Sequence, residues 1–214
     1  MKKGIGLGID DFKEIIKEDC YYFDKTNWIE ELLKDRTKIK LFTRPRRFGN
    51  AEENRKLFKD LYIEKSEYFK EQGQYPVIFI SLKDLKKNTW EDAFFELKAL
   101  LREVYEEHSY VKEKLSDIEK EEYDKILMKA DDAEYGRALR NLTKYLHTYY
   151  QKEIVLLIDE YNNPLIVANT FNYYKEAINF FRDFFSTALK TNPYLKTAVL
   201  TGIVQVAKEG IFSG

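Results

Sequence analysis

Four short apolar runs stand out along the chain: Ile39-Lys40-Leu41-Phe42-Thr43, Val77 to Leu82, Ile154 to Ile158, and Thr197 to Ile203. The second and third are almost continuously apolar, as strands covered on both faces are. Between the runs, apolar residues recur every three or four positions. Trp90, Phe94, Leu97, Leu101 and Val104 predict an amphipathic helix over 90–107, opened by Thr89 with Glu91 and Asp92 behind it. Ile178, Phe181, Phe184 or Phe185, and Ala188 predict another over 174–190, stopped at Asn192-Pro193. Trp28, Ile29, Leu32 and Leu33 predict a short helix over 27–35. The more polar stretch 110–150 reads as one or two helices inserted between the second and third strands. Strands alternating with helices give an α/β fold of parallel βαβ units with helices on both faces of the sheet. Nine Gly and four Pro in the whole chain predict few turns and long elements.

Composition narrows the class. With 44% hydrophobic, 15% aromatic and 34% charged residues among 214, the chain can bury a core, and its length predicts one domain over 1–214. Within it, 1–37 reads as a lead with one helix, 38–109 as the first two strands and a helix, 110–150 as the helical insert, and 151–214 as the last two strands. The 36 basic and 37 acidic residues exclude a strongly basic nucleic-acid binder by bulk charge, though not a local basic patch. One Cys and two His exclude an intramolecular disulfide and a four-ligand Cys/His zinc site. Cys20, in Asp19-Cys20-Tyr21-Tyr22, reads as a small half-buried thiol. No apolar run resembles a signal peptide or reaches the ~18 residues of a membrane span, so a cytoplasmic protein without a membrane partner is expected.

In parallel α/β sheets, ligands bind beyond the carboxyl ends of the strands. The first strand runs into Thr43-Arg44-Pro45-Arg46-Arg47-Phe48-Gly49. A strand leading to a loop that ends in Gly is where backbone N–H groups cradle phosphates, and Gly49 fits the second Gly of G-x-x-x-x-G-K-[ST]. Arg44 stands in place of the first Gly and Asn50 in place of the Lys, so a solvated Arg cluster reads equally well for this segment by itself. The third strand ends in Asp159-Glu160. An Asp at a strand tip can hold magnesium through water, and the Glu beside it can polarise an attacking water. Acidic residues also end many strands with no such role. The fourth strand carries Thr201-Gly202, whose hydroxyl can reach a phosphate or simply close a turn.

Several motifs in the same order resemble the bacterial AAA-ATPase-like family: Ile5 to Phe12 with Tyr22-Phe-Asp-Lys-Thr26, Thr43 to Gly49, Tyr75 to Ser81 with Asn88-Thr-Trp90, Leu157-Ile-Asp-Glu-Tyr161 with Pro164, Ala198 to Ile203, and Lys208 to Gly214. The resemblance implies a P-loop NTPase-like parallel sheet of the additional-strand class. In it, Val77–Leu82 lies at one side and the fourth strand sits between the first and third. It also implies ATP and Mg2+ as ligands. Arg46, Arg47, Phe48 and Gly49 would serve as the surviving half of the phosphate loop and Asp159 as the magnesium-side carboxylate. Glu160 would be the general base and Thr201 the sensor of the phosphate. Many members carry a C-terminal nuclease-like domain of the PD-(D/E)xK type, and a chain stopping at Gly214 is expected to be truncated before it.

The sequence departs from the family pattern in three places. Gly49 is followed by Asn50-Ala51-Glu52-Glu53 rather than Lys-Thr/Ser and an apolar helix, Asn162 stands where Asp is common, and Gln205 lies where Arg is frequent. The first departure predicts weak ATP binding and no turnover by this chain. It also predicts that Gly49 and Asn50 are not neighbours in the intact protein, about a dozen or more residues being missing between them. Two functions follow: an ATP-binding, Mg2+-dependent ATP-hydrolysing regulatory module, or a degenerate module that recognises a nuclease or a nucleic acid. Nuclease activity of the segment itself is disfavoured, since no Asp…Glu-x-Lys group stands at a strand end.

Overall fold

The computed structural model describes residues 3–5, 7, 9, 12–35, 37–42, 52–128 and 131–202. The chain divides into two compact units, one of residues 1–37 and 45–75, the other of 38–44 and 76–214.

The second unit contains a parallel sheet of β1 (Ile39–Phe42), β2 (Val77–Ser81), β3 (Ile154–Asp159) and β4 (Leu195–Thr201) in the order β1-β4-β3-β2. The fourth strand lies between the first and third, as expected, and β2 lies at one side. Strand β4 starts at Leu195 and ends at Thr201, two residues earlier at each end than the apolar run suggests. Helices α3 (Trp90–Glu107), α4 (Asp117–Met128) and α5 (Asp132–Tyr150) join β2 to β3, and α6 (Asn163–Thr170) and α7 (Tyr174–Leu189) join β3 to β4. The Thr89 hydroxyl caps α3 by accepting from the Asp92 N–H at 3.2 Å.

Residues of β2 and β3 alternate across the sheet, while in β4 Ala198, Val199 and Leu200 are all buried. Ile78, Ile80, Leu156, Ile158, Ala198 and Leu200 join one buried cluster with Leu97 and Leu101 of α3, Leu142 and Leu146 of α5, and Phe181, Phe184 and Phe185 of α7. The intervening Val77, Val155 and Leu157 are half-buried and Phe79 is exposed, and none of them belongs to that cluster. Among the described residues, α3, α5 and α7 cover one face of the sheet; on the other face Val199 and its register partner Lys40 are also buried. The β2-to-β3 and β3-to-β4 connections step the same way across the sheet, so right-handed crossovers put both sets of helices on the same side. In α3 and the insert, three buried phenols find backbone partners. Tyr105 donates to the Ala138 carbonyl at 2.8 Å, Tyr123 to the Tyr105 carbonyl, and Tyr135 to the Ile126 carbonyl at 3.3 Å. Burial also pushes the Tyr105, Tyr123 and Tyr145 hydroxyls above their ordinary pKa, so they remain donors throughout the physiological range.

The first unit contains α1 (Phe12–Lys17), α2 (Asn27–Lys34) and three 3-10 helices at Glu52–Phe58, Tyr62–Lys65 and Glu67–Glu71. These short turns contradict the expectation of long elements. Chain reversals here use Asp60 at φ 65° and Gly73 at φ 75°, so scarcity of Gly did not prevent them. Rings of Phe12, Phe58 and Phe69 pack in series, with centroids 5.2 and 6.3 Å apart. Cys20 is buried at 9% exposure rather than half-buried.

The Asp24-Lys25-Thr26 signature resolves into a tie within this unit. Asp24 Oδ1 accepts from the Thr26 N–H at 2.8 Å and its hydroxyl at 2.7 Å, and Oδ2 accepts from the Tyr62 N–H at 2.6 Å. Thr26 Oγ1 in turn accepts from the Ile63 N–H at 3.0 Å. Two orphan donors at the start of a 3-10 helix are thus satisfied by residues far back in the chain. Desolvation raises the Asp24 carboxyl, but the hydrogen bonds from Thr26 and Tyr62 outweigh it and hold the group below its ordinary value. Replacing Thr26 with Val keeps the volume of this buried side chain and removes the acceptor. The Ile63 N–H is then left unpaired, and stability should fall by about 1–3 kcal/mol. Urea unfolding followed by tryptophan fluorescence checks this; an unchanged midpoint would mean the tie contributes nothing.

Candidate functional site

The carboxyl edge of the sheet is built around the tip of β3. Its neighbours extend the ladders by one bond on each side: the Leu82 N–H donates to the Asp159 carbonyl at 2.9 Å, and the Tyr161 N–H donates to the Thr201 carbonyl at 3.0 Å. Asp159 is therefore held by both flanking strands. The chain then turns sharply. Glu160 adopts φ 53°, a left-handed conformation rarely taken by a Glu, and the Asn163 N–H closes the turn on the Glu160 carbonyl at 3.0 Å. Pro164 follows in the first turn of α6, where its missing N–H costs nothing.

The side chains at this edge converge on Asp159. Thr201 donates its hydroxyl to Asp159 Oδ1, and the Ser81 hydroxyl lies 3.4 Å from Oδ2. Asp159 and Thr201 are thus brought together as the sequence suggests, with Glu160 next in the chain and half-buried. Ser81 was not among the residues singled out from the sequence. Its signal was that two apolar runs end in polar residues that the register places side by side, Ser81 opposite Asp159.

Behind the carboxylate, Asn162 is fully buried and Asn163 nearly so. The Asn163 amide donates to the Leu82 and Lys83 carbonyls at 3.2 and 2.8 Å, fixing the backbone that leaves β2. A Cβ at Gly202 would meet Asn162 Oδ1 at 2.6 Å and its Cγ at 2.9 Å, so the glycine is required by close approach. An amide at position 162 also keeps this dry position neutral, where a carboxylate would carry a desolvated charge.

Among the described residues there is no group of three or more His, Cys, Asp or Glu that could cage a metal ion. The set at the β3 tip is one carboxylate with two hydroxyl neighbours and a second carboxylate beside it in sequence. Such oxygen donors suit a magnesium ion that keeps most of its waters and takes its remaining ligands from phosphates. Arg46, Arg47, Phe48 and Gly49, the Gly49–Asn50 junction, Gln205 and the Lys208–Gly214 motif lie outside the described residues.

A family model described as "Predicted AAA-ATPase" matches residues 6–212. The chain belongs to the AAA-ATPase-like family. The match runs across both compact units and includes the β3 tip. Over 220 residues the chain is 25% identical to an uncharacterized protein in the vnfD 5' region of Azotobacter chroococcum mcd 1, covering 100% of the chain and 40% of that relative. No solved structure matches. No helix among the described residues of this AAA-ATPase-like chain is long and apolar enough to cross a membrane.

Gly202→Ala should be destabilising by about 1–3 kcal/mol, because the added methyl would overlap the side chains of Asn162 and Tyr161, both fully buried, and both would have to shift. Chemical denaturation of the variant measures this. Wild-type stability would show that the Asn162–Gly202 contact relaxes freely.

Proposed function

We propose that the chain is the nucleotide-binding module of an ATPase of the additional-strand class of P-loop folds, with both compact units forming one such domain and turnover requiring the Lys-Ser/Thr that does not follow Gly49 here. In this reading β2 is the extra strand, Asp159 stands on the magnesium side of the nucleotide, Glu160 is the general base and Thr201 reads the terminal phosphate. Arg46, Arg47, Phe48 and Gly49 take the phosphate side. The observation that carries the reading is the Asp159–Thr201 hydrogen bond at adjacent tips of β3 and β4, with Glu160 turned out of the strand beside it. Bound Mg2+ and ATP would supply the electrophilic phosphorus and the charge neutralisation. The protein's part is to hold a carboxylate on the metal's waters and to place a second one where it can take a proton from an attacking water.

A second reading is favoured by one feature of the sequence. No Lys-Ser/Thr follows Gly49, and the loop is a run of arginines, which suits a degenerate module that recognises a nuclease or a nucleic acid. Calorimetric titration with Mg-ATP separates the two. The unaltered chain should bind more weakly than micromolar. Asn50→Lys combined with Ala51→Thr should strengthen binding by about tenfold or more, since one charge-assisted hydrogen bond is worth about 1.5–3 kcal/mol. Micromolar affinity of the unaltered chain would mean the arginines compensate for the absent lysine. No heat of binding from either chain would reject the nucleotide reading in favour of the recognition module.

A further inference from the structure

We propose that Ser81 is a positioning residue for Asp159, and that its hydroxyl and that of Thr201 fix the carboxylate from the two neighbouring strands. This rests on the nucleotide reading above and adds to it a residue from the extra strand.

Ser81, Asp159 and Thr201 form a row across three adjacent strands. Ser81 and Asp159 are register partners, and Thr201 follows Leu200, the partner of Ile158. Each oxygen of the carboxylate has its own hydroxyl, Thr201 on Oδ1 and Ser81 on Oδ2. The terminal torsion of an Asp side chain is soft, so one hydroxyl leaves the plane of the carboxylate free to swing and two opposed hydroxyls fix it. A carboxylate that holds a hydrated cation acts through that plane, and the groups that orient it are part of the site.

The backbone that follows Ser81 is anchored. Leu82, next in the chain, is fully buried and bonded to the Asp159 carbonyl. Asn163 grips the carbonyls of Leu82 and Lys83 from the start of α6. Tyr173 holds the far end of the same loop by donating to the Lys87 carbonyl at 2.8 Å. Three anchors hold the loop that begins directly after Ser81, the β2 residue facing Asp159. The 3.4 Å separation is long for a hydroxyl–carboxylate bond, as such contacts often are before a ligand tightens the site.

The test compares ATP affinity at saturating Mg2+ with ATP affinity in EDTA for the whole chain, read by saturation-transfer NMR, which detects weak binding. The ratio of the two affinities isolates the metal's share. Ser81→Ala should lower that ratio by about tenfold, the lower end for groups that orient metal ligands, and leave the EDTA affinity unchanged. Ser81→Thr should retain the ratio, and Ser81→Val, of the same shape without the hydroxyl, should lose it. This pair separates the hydroxyl from packing, and melting curves confirm that both variants are folded. Asp159→Asn should abolish the metal dependence. If Asp159→Asn does so while Ser81→Ala and Ser81→Val match the wild type, the positioning role is overturned and the nucleotide reading stands. If Asp159→Asn leaves the ratio intact, or the wild type shows no metal dependence, the nucleotide reading fails and takes the inference with it.

Discussion

Strand β3 is hydrogen-bonded along both edges, to β2 on one side and to β4 on the other, and these two ladders decide where Asp159 stands. The bonds from Leu82 and Tyr161 carry each ladder past the last strand residue. A carboxylate at the end of a free strand would sample many orientations. Here the backbone on both sides is committed before the side chain begins, and the hydroxyls of Thr201 and Ser81 arrive in register because their strands do. The apolar alternation that drives Ile78, Ile80, Leu156, Ile158, Ala198 and Leu200 into the helical core is thus also what aims the polar residues at the edge. Slipping one strand by a single residue would turn its tip side chain to the other face.

The turn after β3 couples the site to the core. Glu160 takes its left-handed conformation so that the chain can fold back into α6 with Asn162 and Asn163 underneath. Gly202 leaves the space that Asn162 fills. Tyr161 packs edge-on against Phe185 of α7, at 6.2 Å between ring centroids, which joins the turn to the helix that covers the sheet. The strain of a non-glycine residue at positive φ, of order 1–3 kcal/mol, is sustained because packing on both sides over-determines it.

Much of this was legible in the sequence because it is local. The four strands, α3 and α7 follow from the spacing of apolar residues, and Asp159 and Thr201 mark strand tips. Other features were not. Helix α6, Asn163-Pro-Leu-Ile-Val-Ala-Asn-Thr170, has no polar face to give it a period; Pro164 in its first turn was the available sign. The three 3-10 helices between Glu52 and Glu71 are too short for periodicity to register. The tie made by Asp24 and Thr26 spans 38 and 37 residues to Tyr62 and Ile63, so neither end reveals it alone. Ser81 escaped notice because its role depends on register between strands far apart in sequence, with the partner 78 residues away. That α3, α5 and α7 share one side of the sheet depends on strand order, which a list of elements does not contain.

Hydrogen-exchange mass spectrometry of the whole chain, with and without saturating Mg-ATP, tests the central claim most directly. If the tips of β2, β3 and β4 form the metal side of a nucleotide site, exchange should slow in peptides covering 80–83, 159–163 and 200–202, and Mg2+ alone should have little effect. Unchanged exchange at these tips under saturating Mg-ATP would contradict the account.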